Sequence, residues 1–459
     1  MGGIMQRGTG TSLSAAARLA ALASTLVLVS LAAPANAAPV GSLPPITDPA
    51  PFGCLPATPG DTVGGRYLVC TNDPSSSDPA QREPYLEELT RLTELAVAGD
   101  QIHIAMYNWW YRKVDQPTYD YSEMYDFTHA LIDAADRGVG VHIALDEHSD
   151  PDHYADIDVP GLAQPWDELS VAANVDFVSC GETTATDSLC LQTPGNDSAI
   201  QHNKLFLFRL GGTKHVLVSS ANLGAPGMGD QYQNLVGIRD DVRLYDFFAD
   251  YYRRLVDNDW DGWTTAADRR SNGDANPFTG VVETRGYVYP HPKPEDTVAN
   301  ILGKVQSCPS SGDRKIWLAE PSIKNSRLTA NDNQLLDLLT SLVNLGCGVK
   351  IITKSVDDPA DPDDVFSTLT STGAEVVTVS CLHSKYIIVD AVSNGMNGGD
   401  PGSREYVWTG SSNLGPGSAW SSANSNVWVE QHDVVRAYVS NFTAIWNRNY
   451  AGEPDPSCT

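Results

Sequence analysis

The hydrophobic and polar positions along the chain follow the same order twice. In the first half, leucines at three-residue spacing over 86–95 predict a helix, and the apolar run 102–107 predicts a strand. A second helix around 130–136 and a second strand at 140–145 come next. Strands that alternate with helices are typical of α/β layering, in which helices cover a sheet. This half of the chain therefore predicts an α/β unit.

The second half repeats this order of predicted elements. Helices are expected around 298–305 and 335–345, and each is followed by an apolar strand, at 315–319 and 348–352. The remaining shared elements are short strands at 175–180 and 376–381, later strands at 234–238 and 426–429, and aromatic-rich helices at 245–255 and 435–446. The repetition predicts two similar α/β lobes, with any site that draws on both lobes at their interface, where pockets are common.

The residue composition marks segments that lie before and between the two repeated halves. Arg7 and Arg18, the apolar stretch 19–33 and the small residues Ala35-Asn36-Ala37 have the order of a secretory signal peptide. The predicted organisation is a signal peptide at 1–37, a Pro-, Gly- and Ser-rich wrapping segment at 38–81, a first lobe at 82–267, a connection at 268–286 and a second lobe at 287–459. We therefore expect a secreted protein.

Cysteine usage agrees with export. The chain has eight cysteines, and an even count behind a signal peptide favours disulfide bonds. Cys54–Cys70 and Cys180–Cys190 are expected as local pairs, whereas the pairing of the other four is left open. No C-x-x-C pair occurs, so a zinc site is not expected.

The chain carries a formal net charge of −27. Strong acidity opposes non-specific binding to nucleic acids and to anionic membranes. The charge therefore favours a zwitterionic or small substrate, and we expect no stable nucleic-acid partner.

A duplicated polar motif interrupts the apolar pattern. His202-Asn203-Lys204 begins one apolar run, and His383-Ser384-Lys385 begins another. Each is followed by a turn-like sequence that ends in Asn-Leu-Gly, at 219–224 and 410–415. One His-x-Lys is common in any sequence, but two copies with the same following turn indicate a duplicated site.

Two histidines and two lysines can cleave a phosphodiester without a metal or cofactor. Because side chains alternate along a strand, His and Lys two residues apart are expected on one face. One neutral imidazole can attack phosphorus, and the other can protonate the leaving oxygen. Lysine ammonium groups and the side-chain amides of Asn222 and Asn413 can hold the non-bridging oxygens as their charge develops.

These motifs resemble those of the phospholipase D superfamily, whose mark is two H-x-K-x(4)-D sequences, each followed by a G/S-S-x-N turn. The resemblance covers nearly the whole mature chain. It implies a pseudo-duplicated α/β fold of two lobes, with mixed sheets covered by helices around a shared site, and a phosphohistidine intermediate. The residues it assigns are His202 as nucleophile, His383 as acid and then base, Lys204 and Lys385 as catalytic lysines, Asn222, Asn413, Ser220 and Ser412 as substrate-binding residues, and Asp390 as a supporting residue.

The chain departs from that pattern in two ways. Arg209 stands where the first motif would end in Asp. Many relatives also carry an acid just before the strand that follows each turn, where Gln233 and Ser425 are expected here. Without a carboxylate partner an imidazolium is less well supported, so either weaker activity or another acid in this role is expected.

The sequence is compatible with three functional hypotheses. The leading hypothesis is a monomeric secreted enzyme that hydrolyses phospholipids to phosphatidic acid and headgroup alcohol. Such an enzyme could exchange headgroups when an alcohol replaces water, and it would contact a membrane or micelle surface transiently. A secreted nuclease of the same superfamily is the second, and a non-catalytic binder of phosphate headgroups is the third. The aromatic cluster 107–111 is expected in the core rather than in a headgroup pocket, and the acidic runs 146–153 and 357–364 as solvated loops rather than calcium sites.

Overall fold

The computed structural model divides the chain into a unit of residues 1–47 and a compact unit of residues 48–459. Within the second unit it describes residues 49–57, 60–111, 122–150, 164–181, 190, 200–224, 229–308, 315–354 and 365–450. The expected signal peptide lies outside these residues. No helix in the described ranges is long and apolar enough to span a membrane.

The first lobe is built on a mixed sheet. Its strands are β1 (Gly53–Leu55), β2 (Tyr67–Thr71), β3 (Gln101–Met106), β4 (Trp109–Trp110), β5 (Gly140–Asp146), β6 (Val175–Cys180), β7 (Lys204–Leu210), β8 (Thr213–Ser219), β9 (Leu223–Gly224) and β10 (Asn234–Arg239). Its helices are α1 (Pro79–Arg82), α2 (Pro84–Leu95), α3 (Ser122–Asp136), α4 (Gln164–Val171) and α5 (Val242–Asp257). The strand order is β1-β2-β10-β8-β7-β3-β5-β6, and β3, β5 and β6 are parallel to one another.

The second lobe repeats this architecture. Its strands are β11 (Arg270–Asn272), β12 (Thr284–Val288), β13 (Val305–Ser307), β14 (Lys315–Glu320), β15 (Gly348–Thr353), β16 (Glu375–Thr378), β17 (Tyr386–Ser393), β18 (Gly402–Gly410) and β19 (Ser425–Val429). Its helices are α6 (Thr297–Leu302), α7 (Asn325–Leu328), α8 (Ala330–Asn344), α9 (Val365–Ser371), α10 (Pro416–Trp420) and α11 (His432–Tyr450). The order β19-β18-β17-β14-β15-β16 matches β10-β8-β7-β3-β5-β6 of the first lobe, which confirms the duplicated α/β fold.

Apolar side chains alternate between the two faces of each sheet. Leu205 and Leu207 of β7 join Ile388 of β17 in one central core, which also holds the inner faces of α5 and α11. Phe206 and Phe208 of β7 face the opposite way, toward α2 and α3. The corresponding outer face of the second sheet packs against α6 and α8. Each sheet is therefore covered by helices on both sides, and the central core is shared by the two lobes.

Two segments outside the predicted lobes contribute edge strands. The wrapping segment contains β1 and β2, and β2 pairs with β10. The connection contains β11, which pairs with β12 at the edge of the second sheet. Both segments supply backbone hydrogen bonds to a sheet edge that would otherwise be open. The predicted lobe boundaries themselves remain predictions.

Three disulfide bonds link described cysteines. Cys54–Cys70 joins β1 to β2, and Cys180–Cys190 follows β6, as the sequence predicts. The third bond, Cys308–Cys347, ties the segment after β13 to the residue before β15. No cysteine in the described part of the chain is free.

Candidate active site

Both His-x-Lys motifs lie at the entry to a central antiparallel strand. β7 begins only at Lys204 and β17 only after Lys385, so each histidine precedes its strand, and the shared face of His and Lys remains a prediction. The backbone before each strand bridges to the other lobe. The amide of His202 donates to the Ala423 carbonyl at 2.8 Å, and that of His383 to the Tyr232 carbonyl at 3.0 Å. These bridges place the two motifs together at the lobe interface.

Each motif histidine is held by a side-chain amide from the opposite lobe. His202 Nδ1 lies 3.0 Å from Asn424 Oδ1. The amide nitrogen of Asn424 donates to the carbonyl oxygens of Ser418 and Ser422, both at 3.2 Å, which turns its oxygen toward the histidine. The hydrogen-bond network therefore assigns a protonated Nδ1 to His202 and leaves the Nε2 lone pair available.

His383 is arranged in the same way. Its Nδ1 lies 2.9 Å from Gln233 Oε1, which also accepts a hydrogen bond from Ser220 Oγ at 2.7 Å. The Gln233 amide nitrogen donates to the side-chain oxygen of Gln231 at 3.4 Å. Gln233 thus occupies the position expected from the sequence, and His383 also presents Nε2 as its acceptor.

The sequence-based alignment of the second turn is wrong by one residue. Ser411 Oγ, rather than Ser412 Oγ, contacts the amide that holds a histidine, at 3.1 Å from Asn424 Oδ1. Ser412 Oγ instead donates to Asn426 Oδ1 at 2.6 Å. Ser425, which the sequence places where relatives carry an acid, uses its backbone for β19 and for the bond with Ser411. Ser411 and Asn424 are therefore the functional positions that the motif alone missed, although the symmetry with Ser220 and Gln233 would have indicated them.

Each lysine is buried beside the histidine of its own motif. Lys204 Nζ donates to the His202 carbonyl oxygen at 3.1 Å and lies 5.1 Å from the ring centroid of Tyr107. Lys385 Nζ donates to the His383 carbonyl oxygen at 2.8 Å and lies 3.1 and 3.3 Å from Nδ1 and Nε2 of the His383 ring. Both lysine side chains are fully shielded from solvent.

Burial and mutual repulsion disfavour positive charge throughout this cluster. Burial, with Lys204 and Lys385 nearby, lowers the pKa of His202 well below its ordinary value. Burial and the same two lysines lower the pKa of His383 as well. Burial lowers the pKa of Lys385 to about 7, although the Glu320 carboxyl opposes this shift. An anion would relieve the repulsion, so the cluster is suited to bind a phosphate group.

The turn asparagines have unpaired side-chain oxygens. The side-chain oxygens of Asn222 and Asn413 are buried and lack a donor within the described ranges. The fold itself therefore makes no use of these oxygens. Leaving a buried polar atom unpaired is unfavourable, and these acceptor oxygens would need a donor, such as a water molecule or a hydroxyl group, to remove that penalty.

Asp390 and Arg209 lie away from the cluster. Asp390 is five residues beyond Lys385 on β17, opposite Lys315 of β14. Arg209 occupies the corresponding part of β7, opposite Gln101, and its side chain is exposed. The missing motif Asp of the first copy therefore leaves the histidines and lysines in place.

The aromatic cluster is divided between core and site. Trp109 is fully buried and stacks on Phe127, as expected for the core. Tyr107 instead lies against His202, with ring centroids 5.0 Å apart.

The acidic run 146–153 was expected to be a solvated loop, and this expectation is wrong for Asp146, which is buried and accepts a hydrogen bond from the Gln201 backbone amide at 2.7 Å. The run 357–364 lies outside the described residues, and the described ranges contain no group of three His, Cys, Asp or Glu side chains that could hold a metal ion.

Sequence comparison matches the chain to a known family. Residues 92–260 and 310–446, about two thirds of the chain, match the family described as cardiolipin synthase, PLD-like domain. The chain belongs to the phospholipase D superfamily. The two matched stretches contain one His-x-Lys motif each, so this phospholipase D-like chain carries both halves of the site. A search of curated protein sequences found no match.

Several solved structures are similar to this superfamily member in fold. Polyphosphate kinase from Porphyromonas gingivalis is 11% identical with a TM-score of 0.47; the match covers 82% of the chain but only 50% of the kinase. Phosphatidylserine synthase from Haemophilus influenzae Rd KW20 is 12% identical with a TM-score of 0.48, over 82% of the chain and 89% of the synthase. Nuc from Salmonella typhimurium, a phospholipase D family member, is 18% identical with a TM-score of 0.27, over 36% of the chain and 97% of Nuc.

Proposed function

We propose that this chain is a secreted phosphodiesterase that hydrolyses phospholipids to phosphatidic acid and a free headgroup alcohol. The observation that carries the proposal is the pair of His-x-Lys motifs at the lobe interface, each with a buried lysine and with its histidine Nδ1 held by an amide of the opposite lobe. Secretion is supported by the three disulfide bonds, which persist in oxidising compartments. The net charge of −27 supports a zwitterionic lipid as substrate.

The first half of the proposed reaction uses the two histidines in different roles. His202 Nε2 attacks phosphorus, while the proton stays on His202 Nδ1, which donates to Asn424 Oδ1. The bond from phosphorus to the headgroup oxygen breaks, and protonated His383 donates to that oxygen as the alcohol leaves. The ammonium groups of Lys204 and Lys385 stabilise the charge on the non-bridging oxygens, and the side-chain amides of Asn222 and Asn413 assist.

The second half regenerates the site. His383, now neutral, removes a proton from water, and the resulting hydroxide attacks the phosphohistidine at phosphorus. The bond to His202 Nε2 breaks, and phosphatidic acid is released. If an alcohol replaces water in this step, the headgroup is exchanged instead of hydrolysed.

The proposal is tested by choline release from phosphatidylcholine micelles with EDTA present. We expect turnover in the wild-type protein and a loss of at least about 10³-fold in His202→Ala. His142→Ala is the matched control, because His142 pairs with Asp176 on a partly exposed face of β5. It should leave turnover unchanged.

Other outcomes would replace the proposal. Cleavage of nucleic acid with a steep salt dependence, in place of choline release, would make the chain a nuclease. Binding of phosphatidylcholine without turnover, unchanged by His202→Ala and by His383→Ala, would make it a binder of phosphate headgroups.

A further inference from the structure

A third histidine lies beside the first motif and has no role in the reaction described above. His148 follows β5, and its Nδ1 lies 2.6 Å from Oδ1 of Asp146, the residue that ends this strand. The other carboxyl oxygen of Asp146 accepts a hydrogen bond from the backbone amide of Gln201 at 2.7 Å, one residue before His202. One buried carboxyl group therefore holds both the segment that carries His202 and a second imidazole.

Tyr107 connects this second imidazole to the motif. Its ring centroid lies 5.3 Å from that of His148 and 5.0 Å from that of His202, and Lys204 Nζ lies 5.1 Å from it. Ser149 fixes the arrangement, because its hydroxyl donates to the Tyr107 carbonyl oxygen at 3.1 Å. The two imidazoles are thus at most one aromatic ring apart, a gap that a phosphate group and the first atoms of its headgroup can fill.

The exposed part of His148 is the edge that carries Nε2. Asp146 is completely buried and contacts Nδ1, whereas 27% of the His148 side chain is exposed. Tyr107, on which His148 packs, is also partly exposed. A ligand that is bound at His202 and extends over the Tyr107 ring would therefore meet Nε2 of His148.

The carboxyl group of Asp146 favours a charged His148. The hydrogen bond to Asp146 raises the pKa of His148 above its ordinary value; burial opposes this shift, and the nearby charge of Glu147 adds to it. Across the Tyr107 ring, by contrast, burial lowers the pKa of His202 and of Lys204. His148 therefore holds a proton more readily than the histidine of the motif, and its protonated ring presents Nε2–H as a donor.

The second lobe has a different group at the equivalent place. Thr353 of β15 pairs with the last residue of β14, as Leu145 of β5 pairs with the last residue of β3. Lys354 therefore takes the place of Asp146, and it is exposed. A carboxyl group that orients an imidazole is thus present at the end of β5 and absent at the end of β15, so the two ends of the site differ.

We propose that His148, oriented by Asp146, binds a carboxylate of the lipid headgroup, so that phosphatidylserine is the preferred substrate of the site. This inference rests on the phosphodiesterase function proposed above. A phosphodiester carries one negative charge, which Lys204 and Lys385 can balance, and the imidazolium of His148 is a further donor that suits a second anionic group. Its hydrogen bond to a carboxylate is charge-assisted. In phosphatidylserine only two carbon atoms separate the carboxylate from the ester oxygen, so the carboxylate stays near the phosphate.

The test compares phosphatidylserine with phosphatidylethanolamine. These headgroups differ only in the carboxylate, and both lipids yield the same phosphatidic acid, which is the product measured. Each lipid is present at low mole fraction in micelles of a neutral detergent, so the acidic protein meets the same surface in both assays. We expect the wild type to have the higher kcat/KM on phosphatidylserine, and His148→Gln to lower the ratio of the two kcat/KM values by about 10-fold.

Two further variants identify the cause. His148→Arg restores a positive charge beside Asp146 and should keep the preference for phosphatidylserine. His142→Gln is the matched control, because His142 lies on the same strand, is 30% exposed and pairs with Asp176 at 2.9 Å. Its ratio should equal that of the wild type. A wild type that does not favour phosphatidylserine, or a ratio that His148→Gln leaves unchanged, would overturn the carboxylate site.

If His148→Gln does not fold, the wild-type protein alone decides. Loss of the second ring proton leaves Nδ1–H on Asp146 and a lone pair on Nε2 of His148, which repels a carboxylate. The ratio should therefore fall as the pH rises through about 5.5–8.5, the range in which histidines titrate. Lys385 titrates in this range too, but it serves the phosphate of both lipids and cancels in the ratio. A constant ratio would count against the carboxylate site.

Failure of the carboxylate site can be told apart from failure of the proposed function. If the wild-type protein releases phosphatidic acid from neither lipid, the phosphodiesterase proposal fails. If it cleaves both lipids and His148→Gln changes both rates by the same factor, only the carboxylate site fails.

Discussion

Replacing Lys385 with methionine should inactivate the protein and stabilise its fold. The ammonium group is fully buried, and burial lowers its pKa from 10.5 to about 7. Methionine is similar in length and apolar, so Lys385→Met removes a charge that the folded protein holds at a disadvantage. Buried charged groups that lower the stability of the fold are common at positions where function requires them.

The size of the effect follows from this pKa. Each pH unit corresponds to about 1.4 kcal/mol, so a protonated Lys385 destabilises the fold by up to about 5 kcal/mol at pH 6. Loss of the bond from Nζ to the His383 carbonyl at 2.8 Å costs about 1–3 kcal/mol. Lys385→Met should therefore raise the free energy of unfolding at pH 6 by about 2–4 kcal/mol.

The pH dependence has a definite sign. Between pH 7 and 10.5 the unfolded chain holds a proton on Lys385 that the folded protein has released, so wild-type stability rises with pH in this window. The advantage of Lys385→Met should shrink over the same window and become a disadvantage of about 1–3 kcal/mol near its upper end, where only the lost hydrogen bond of Lys385 remains. Below pH 7 both states are protonated, and the advantage should be constant.

The difference in the free energy of unfolding between Lys385→Met and the wild type is measured at pH 6, 8 and 9.5. The method is guanidinium unfolding followed by tryptophan fluorescence, with the disulfides intact. Lys293→Met is the control, because Lys293 is exposed and its replacement should give no pH-dependent change. If Lys385→Met is less stable than the wild type at pH 6, or if the difference between them is the same at each pH, the reasoning about this buried lysine is wrong.

Three further predictions follow from the site and the disulfides. Gln233→Glu places a carboxylate against His383 Nδ1 and should raise the pKa of that histidine, so the alkaline limb of the pH–rate profile for choline release should move to higher pH. Orthovanadate should raise the Tm of the wild type, because an anion relieves repulsion in the cluster, but much less in Lys204→Ala, as differential scanning fluorimetry can show. Cys308→Ala with Cys347→Ala opens a loop of 39 residues and should lower the free energy of unfolding by about 4 kcal/mol, as measured by guanidinium unfolding, while choline release at 25 °C stays unchanged.

The fold could be predicted from the sequence because its signals are local. Alternation and helical spacing marked β3, β5, α2 and α8 within a few residues of their bounds, and the doubled motif gave the symmetry. The roles of the sequence-predicted site residues, His202, Lys204, His383 and Lys385, remain predictions for the experiments above.

The parts of the site that were missed depend on contacts between distant segments. Asn424 holds His202 across a separation of 222 residues, and the sequence placed this role on Ser425, one residue away. A motif specifies which side chains can react, whereas strand register and lobe docking decide which neighbours they meet.

Each lobe holds the histidine of the other lobe with a side-chain amide, and this determines the stage of synthesis at which the site is complete. The ribosome adds His202 long before Asn424, which directly precedes β19. Until Asn424 has been added and the second lobe has packed against the first, the hydrogen bond that fixes the Nδ1 proton of His202 is absent. A nascent chain that has completed only its first lobe holds a lysine, a histidine and a turn, but no oriented nucleophile. Under the function proposed above, reactivity toward phosphodiesters would therefore arise only after both lobes have been synthesised and have packed against each other.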